Sequence, residues 1–168
     1  MIIRKFYNLS DDGKILFFLG LSERVVSELT SKEDQKLARN ALYNCWEWLE
    51  YKNTSGDLLY DLLDNEETSI TISLELADNE TDIMAWNCII DTVAFTSRKA
   101  FEKEGVKYYP EPISLVDDTL VEHFLECFNA CVEHADSYIN DIYLLLDIYN
   151  NGSIKRNLRD EVLIELQI

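Results

Sequence analysis

Residues 82–104 constrain the fold more than any other stretch of this chain. From Ile83 the segment reads IMAWNCIIDTVAFTSRKAFEKE, and Ile83, Met84, Trp86, Ile89, Ile90, Val93, Phe95 and Phe101 surround almost its whole helical circumference. A helix that is apolar on nearly all sides is stable in water only when other elements cover it. It reads as a hub, and the rest of the chain must supply the cover. Its one continuous polar seam is Asn87, Asp91, Arg98 and Glu102, with Thr92 and Thr96 beside it. The expected reading of that seam is a buried Asp91 that pairs with Arg98 or caps a neighbouring helix, ahead of a general base.

The cover reads as helices. Ser10 followed by Asp11 and Asp12 is a helix start, and Ile15, Phe18, Leu19, Val25, Val26 and Leu29 recur at helical spacing to about residue 29. Phe17 and Leu21 lie off that stripe, which predicts a helix packed on two sides, and Gly20 in its middle predicts a close helix crossing. Thr30 or Ser31 caps the next helix, whose apolar face is Leu37, Ala38, Ala41, Leu42, Cys45, Trp46 and Leu49; Trp48 lies at the margin of that arc and Tyr51 outside it. A short helix with Leu58, Leu59, Leu62 and Leu63 inside leads to the polar turn Asn65, Glu66, Glu67 and Thr68. Residues 69–77 alternate briefly like a strand, but with no second strand to pair with they are expected to be helical. Asn79 or Thr81 caps the hub, and Gly105 ends it.

Residues 106–115, with Pro110 and Pro112, read as a crossover loop within one domain. Asp117, Asp118 and Thr119 then open the longest helical pattern. Leu120, Phe124, Phe128, Cys131 and Ala135 make its buried face, flanked by Val121, Leu125 and Val132, and Tyr138, Ile142, Leu145 and Tyr149 extend the period to Asn150. One long helix, or two with a bend near Asp136, both fit. Asn150, Asn151 and Gly152 end it, and VLIELQI at 162–168 is expected to be a final helix rather than an edge strand. The sum is an all-α, single-domain multi-helix bundle spanning 1–168 around a central buried helix at about 82–104. A chain of 168 residues can bury roughly 70% of its extended surface, so no metal or disulfide staple is needed.

Charge narrows the function. Fifteen Lys plus Arg stand against 32 Asp plus Glu, for a net charge of −17, and no Lys or Arg occurs between Lys52 and Arg98 or between Lys107 and Lys155. Such a surface repels nucleic acid and anionic lipid and attracts basic partners. Opposite the buried face of the longest pattern run Asp118, Glu122, Glu126, Asn129, Glu133, Asp136 and Asn140, spaced 4, 4, 3, 4, 3 and 4. Like charges four apart weaken a helix by a few tenths of a kcal/mol per pair, about 0.2–0.5, and no lysine within this stripe relieves them.

Little points to chemistry. Cys45, Cys88, Cys127 and Cys131 sit among apolar neighbours, as buried free thiols do. Cys127 and Cys131 are four apart, but no CxxC and no histidine at ligand spacing completes a zinc set. His123 and Glu126 reverse the Glu-x-x-His order of di-iron bundles and have no second copy. Phosphate loop, nucleophile elbow and a Cys/His pair with an orienting group are all lacking. No cofactor, metal or catalytic residue is expected. The apolar run in MIIRKFYNLSDDGK is too short for a signal peptide, and no segment approaches the length of a membrane span, which favours the cytoplasm.

The Asn8-Leu9-Ser10 lead, LSERVVSEL, the ALYNCWEWLEY helix, the DLLYDLLDNEE turn, the AWNCIIDTVAF hub and the Tyr109-Pro110 loop together resemble the sixth family of immunity proteins from bacterial polymorphic toxin systems. The resemblance runs along nearly the whole chain. It implies an all-α, non-enzymatic protein that binds and neutralises a cognate toxin, often a nuclease. Basic nuclease clefts suit the acidic stripe, so Asp118, Glu122, Glu126, Glu133 and Asp136 are the expected toxin contacts, aided by Asp61, Asp64, Glu66 and Glu67. The alternative is a non-enzymatic helical adaptor or regulatory domain that binds an endogenous basic protein.

Overall fold

The computed structural model describes residues 2–67, 69–149 and 157–168. Within them every regular element is helical: α1 (Ile2–Tyr7), α2 (Asp11–Val25) with a 3-10 turn at Val26–Glu28, α3 (Lys32–Tyr51), α4 (Gly56–Asp64), α5 (Ile70–Leu76), α6 (Glu80–Glu104), α7 (Glu111–Ser114), α8 (Leu120–Cys131), α9 (Ala135–Tyr149) and α10 (Leu158–Glu165). Local chemistry sets most boundaries. Ser10, Ser31, Ser55 and Asn79 each accept a hydrogen bond from the backbone N–H three residues on, at 2.9–3.2 Å, which satisfies one orphan donor of α2, α3, α4 and α6. Gly105 closes α6 at φ +70°, where a side chain would be strained.

The hub is α6, which packs against α2, α3, α4, α5 and α8. It is not covered all round: Ile83, Asn87, Ile90, Ala94 and Arg98 form a half-buried strip along it. The more enclosed helix is α2, in which every residue from Lys14 to Glu23 is buried. Here the two-sided packing expected from Phe17 and Leu21 is realised. A Cβ at Gly20 would lie 2.5 Å from Ile142 Cδ1, so α2 and α9 cross as closely as the glycine allows. The centre of the core is a ring cluster in which Phe18 meets Phe95 and Phe124 at 4.9 Å each and Phe6 meets Phe17 at 5.3 Å. Phe6 comes from α1, which lies outside the helices expected from the sequence.

Several expectations change. The helix expected to reach residue 29 gives way to the 3-10 turn after Val25. Leu58 is exposed rather than buried, because α4 rests on α6 through Gly56, Leu59 and Leu63, and Leu58 lies off that row. The 106–115 crossover contains α7, with Pro112 at an early position where its missing N–H removes no helix bond; Ile113 is fully buried. Of the two readings that fitted the long acidic pattern, the structure takes the two helices, with the break a little before Asp136: Val132 is extended and His134 takes φ +57°, turning the chain between α8 and α9. Thr68, the terminator at Asn150, Asn151 and Gly152, and Lys155 and Arg156 lie outside the described residues.

Candidate partner-binding face

The acidic stripe begins at the turn into α8. Asp117 accepts from the Thr119 hydroxyl and amide, and those bonds hold its carboxyl below the usual carboxylate range. Asp118 is half-buried, and the Lys14 ammonium donates to it at 2.7 Å, so a lysine from α2 relieves the stripe at this one position. Glu122 accepts a long bond of 3.4 Å from the Tyr7 hydroxyl of α1. Glu126 is exposed and has no hydrogen-bond or ion-pair partner among the described residues. Glu133 lies within the α8–α9 turn and Asp136 past it; Glu133 stands 3.6 Å from His134 with both side chains largely in solvent. The sequence stripe is therefore two exposed acidic segments joined by a turn.

The secondary acids sit elsewhere. Asp61 and Asp64 are exposed on α4, where Asp64 accepts from the Tyr60 hydroxyl, and Glu66 and Glu67 are exposed in the following turn. Helix α4 meets α6 where the Ser97 hydroxyl donates to the Gly56 carbonyl and Phe101 faces Gly56, whereas α8 meets it at Cys88 and Asp91. With 3.6 residues per turn, those are different flanks of α6, and the half-buried Asn87, Ala94 and Arg98 fall between them. The two acid groups are not one cluster.

Beneath the α8 acids lies a polar site that sequence reasoning missed. Asp91, buried on α6, holds His123 Nδ1 at 2.7 Å, and His123 Nε2 is 3.7 Å from Cys127 Sγ. The expected Asp91–Arg98 pair does not form. Arg98 bonds Glu102 at 2.7 Å and the carbonyls of Ile113 and Ser114 at 3.2 Å instead, because its longer side chain reaches the α7 end while Asp91 points at α8. The i,i+4 spacing of His123 and Cys127 is visible in the sequence; an aspartate 32 residues away is not.

A thiol, an imidazole and a carboxylate in that order are the parts of a nucleophilic triad, yet their environment opposes the chemistry. Burial and the nearby Asp91 push the Cys127 thiol up to about 11, away from the thiolate that attacks. Burial pushes Asp91 up to about 6, partly offset by His123. Cys45, Cys88, Cys127 and Cys131 are all buried free thiols. Among the described residues, no group of three His, Cys, Asp or Glu side chains could hold a metal ion. What the face offers a partner is charge, with exposed apolar groups at its edge: Leu115 is 79% exposed and Tyr7 39%.

The family model described as Immunity protein Imm6 matches residues 13–131, well over half of the chain, and the chain belongs to that family. It is therefore an immunity protein, of a class directed against bacterial toxins. No curated protein and no solved structure matches the chain. The match runs from Gly13 in α2 to the last residue of α8, so Asp118, Glu122 and Glu126 fall within it and Glu133 and Asp136 beyond it. No helix among the described residues is long and apolar enough to cross a membrane.

Proposed function

We propose that this chain acts in the cytoplasm as one helical unit that binds a cognate polymorphic toxin, a basic nuclease domain, and neutralises it by occupancy without catalysis or cofactor. Family membership carries the immunity role. The acidic interface rests on charge: no Lys or Arg occurs between Lys107 and Lys155, and Glu122, Glu126, Glu133 and Asp136 are exposed there. A nuclease must hold a polyanion and so carries a basic cleft. An acidic inhibitor approaches such a cleft faster than an uncharged one, and a few desolvated side chains then set the lifetime of the complex. Leu115 and Tyr7 at the edge of the α8 acids are suited to that second role. Asp61, Asp64, Glu66 and Glu67, on the other flank of α6, add long-range attraction. The test is co-expression with the neighbouring toxin-like reading frame. Rescue from killing, and co-purification that weakens with salt, are expected; a toxin that kills equally with and without this protein defeats the reading.

A further inference from the structure

Among the groups on the α8 face, one pair joins the interior to the surface. His123 lies between Glu122 and Glu126 in the sequence of α8, with its side chain 51% exposed, while its Nδ1 contacts the buried Asp91 carboxylate at 2.7 Å. The ring is thereby fixed in orientation, with Nε2 near Cys127 Sγ at 3.7 Å. We propose that the Asp91–His123 pair is a proton-operated gate on the partner-binding face, so that affinity for the basic toxin falls as pH drops from 8 to 5. The proposal rests on the interface reading above.

The charges follow from chemistry. With Asp91 ionised and His123 neutral the pair carries −1; one proton brings it to zero and a second to +1. A cationic partner held against Glu122 and Glu126 favours the first state, and by linkage the first state favours the partner. Because the two groups share one short contact, they titrate as a unit. Other ionisable groups surround the pair. Glu122 and Glu126 are exposed carboxylates on the same helix. Burial pushes Cys127 to about 11 and Cys88 well above the ordinary thiol value. Cys131, beside Cys88, is also influenced by Glu28 and Arg24 from the α2 end, and from α1 the Tyr7 hydroxyl meets Glu122. The other histidine in the chain, His134, stands at the α8–α9 turn next to Glu133.

Two measurements test the gate. NMR titration of the free protein from pH 4 to 8 is expected to show the His123 ring and the Asp91 carboxyl responding together. A His123 ring that titrates while the Asp91 carboxyl stays silent above pH 5 overturns the coupling. Binding of the purified toxin domain is then compared at pH 8 and pH 5, at fixed ionic strength, in a His134→Gln background that removes the second histidine. The expected result is about tenfold weaker binding at pH 5, the equivalent of one pKa unit of linkage, and a flat response in the Asp91→Asn/His123→Gln double variant. That double variant keeps a neutral hydrogen-bonded pair in place of the ionisable one, so loss of folding is not the expected outcome. Equal pH dependence in both proteins overturns the gate while leaving the interface intact. No binding by either protein at either pH overturns the interface and the gate with it.

Discussion

Two glutamates on helices that both pack against α6 meet opposite fates. Glu23 on α2 is buried, and Trp46 Nε1 and Arg159 Nε donate to its Oε1 at 2.9 and 3.0 Å. Glu126 on α8 stands in solvent with no such partner among the described residues. The contrast extends to their surroundings. Each buried charged group has a named partner: Lys14 has Asp118, Glu23 has Arg159, Asp82 has Thr30 and Asp91 has His123. Among the described residues the outer acids of α8 and α9 are mostly unmatched. A buried charge without a partner is too costly to persist, whereas a solvated one costs almost nothing. Unmatched charge therefore accumulates only where it remains available to another molecule.

The comparison breaks first at Glu23. Glu23→Ala leaves the Trp46 N–H without its acceptor and Arg159 without its counter-ion, and is expected to cost about 3 kcal/mol in urea unfolding. A loss below about 1 kcal/mol would remove the distinction between inside and outside acids.

Asp91 comes next and has the opposite sign from an ordinary paired carboxylate. Its folded-state carboxyl lies at about 6 against an ordinary 3.8, with burial as the main cause, so the folded protein binds this proton more tightly than the unfolded chain. The resulting stabilisation is fully present below about pH 4 and is lost as pH rises through about 6, a swing on the order of 2–3 kcal/mol. Comparing unfolding free energies of the wild type and Asp91→Asn at pH 4 and pH 7 checks this. Asp91→Asn should flatten the dependence, and a wild type that instead gains stability over that range relative to the variant refutes the sign.

A smaller effect is expected at Gly20, where an added methyl meets Ile142 Cδ1 at 2.5 Å. Gly20→Ala should lower stability by about 1–2 kcal/mol through overpacking, even though alanine is the better helix former. Adding Ile142→Val, which deletes the offending Cδ1, should recover part of the loss. Thermal unfolding of the single and double variants decides whether the interior is as tight here as the geometry implies.

The smallest change in stability belongs to the outer face. Replacing Glu122, Glu126 and Glu133 together by Lys is expected to shift unfolding by no more than about 0.5 kcal/mol per site. The same variant should associate with the toxin at least about tenfold more slowly and lose the salt dependence of that step. Unchanged association kinetics would sink the acidic interface.

Legibility followed the range of the interaction. Caps at Ser10, Ser31 and Asn79 could be read because the bond is made three residues away. The hub and the two-sided α2 could be read from periodicity, which reports only on the helix itself. The α8–α9 turn was harder: apolar spacing continues through it, and Val132, Glu133 and His134 include no glycine or proline to mark the break. The acidic stripe was visible as spacing, but the Lys14 contact to Asp118 and the α1 tyrosine against Glu122 come from residues more than a hundred positions away.

The chain's own letters settle that it is helical, where most helices begin, which faces are apolar and how negative the whole is, because those properties depend on neighbours within a turn or on a sum over residues. Which polar groups meet depends on how helices dock, and docking depends on ridge, groove and volume rather than on any local signal. Hence Asp91 faced Arg98 in the wheel and His123 in the fold. Only packing decided that the hub would keep a half-buried strip, that α2 would be the more enclosed helix, and that the acids of α4 and α8 would lie on separate flanks.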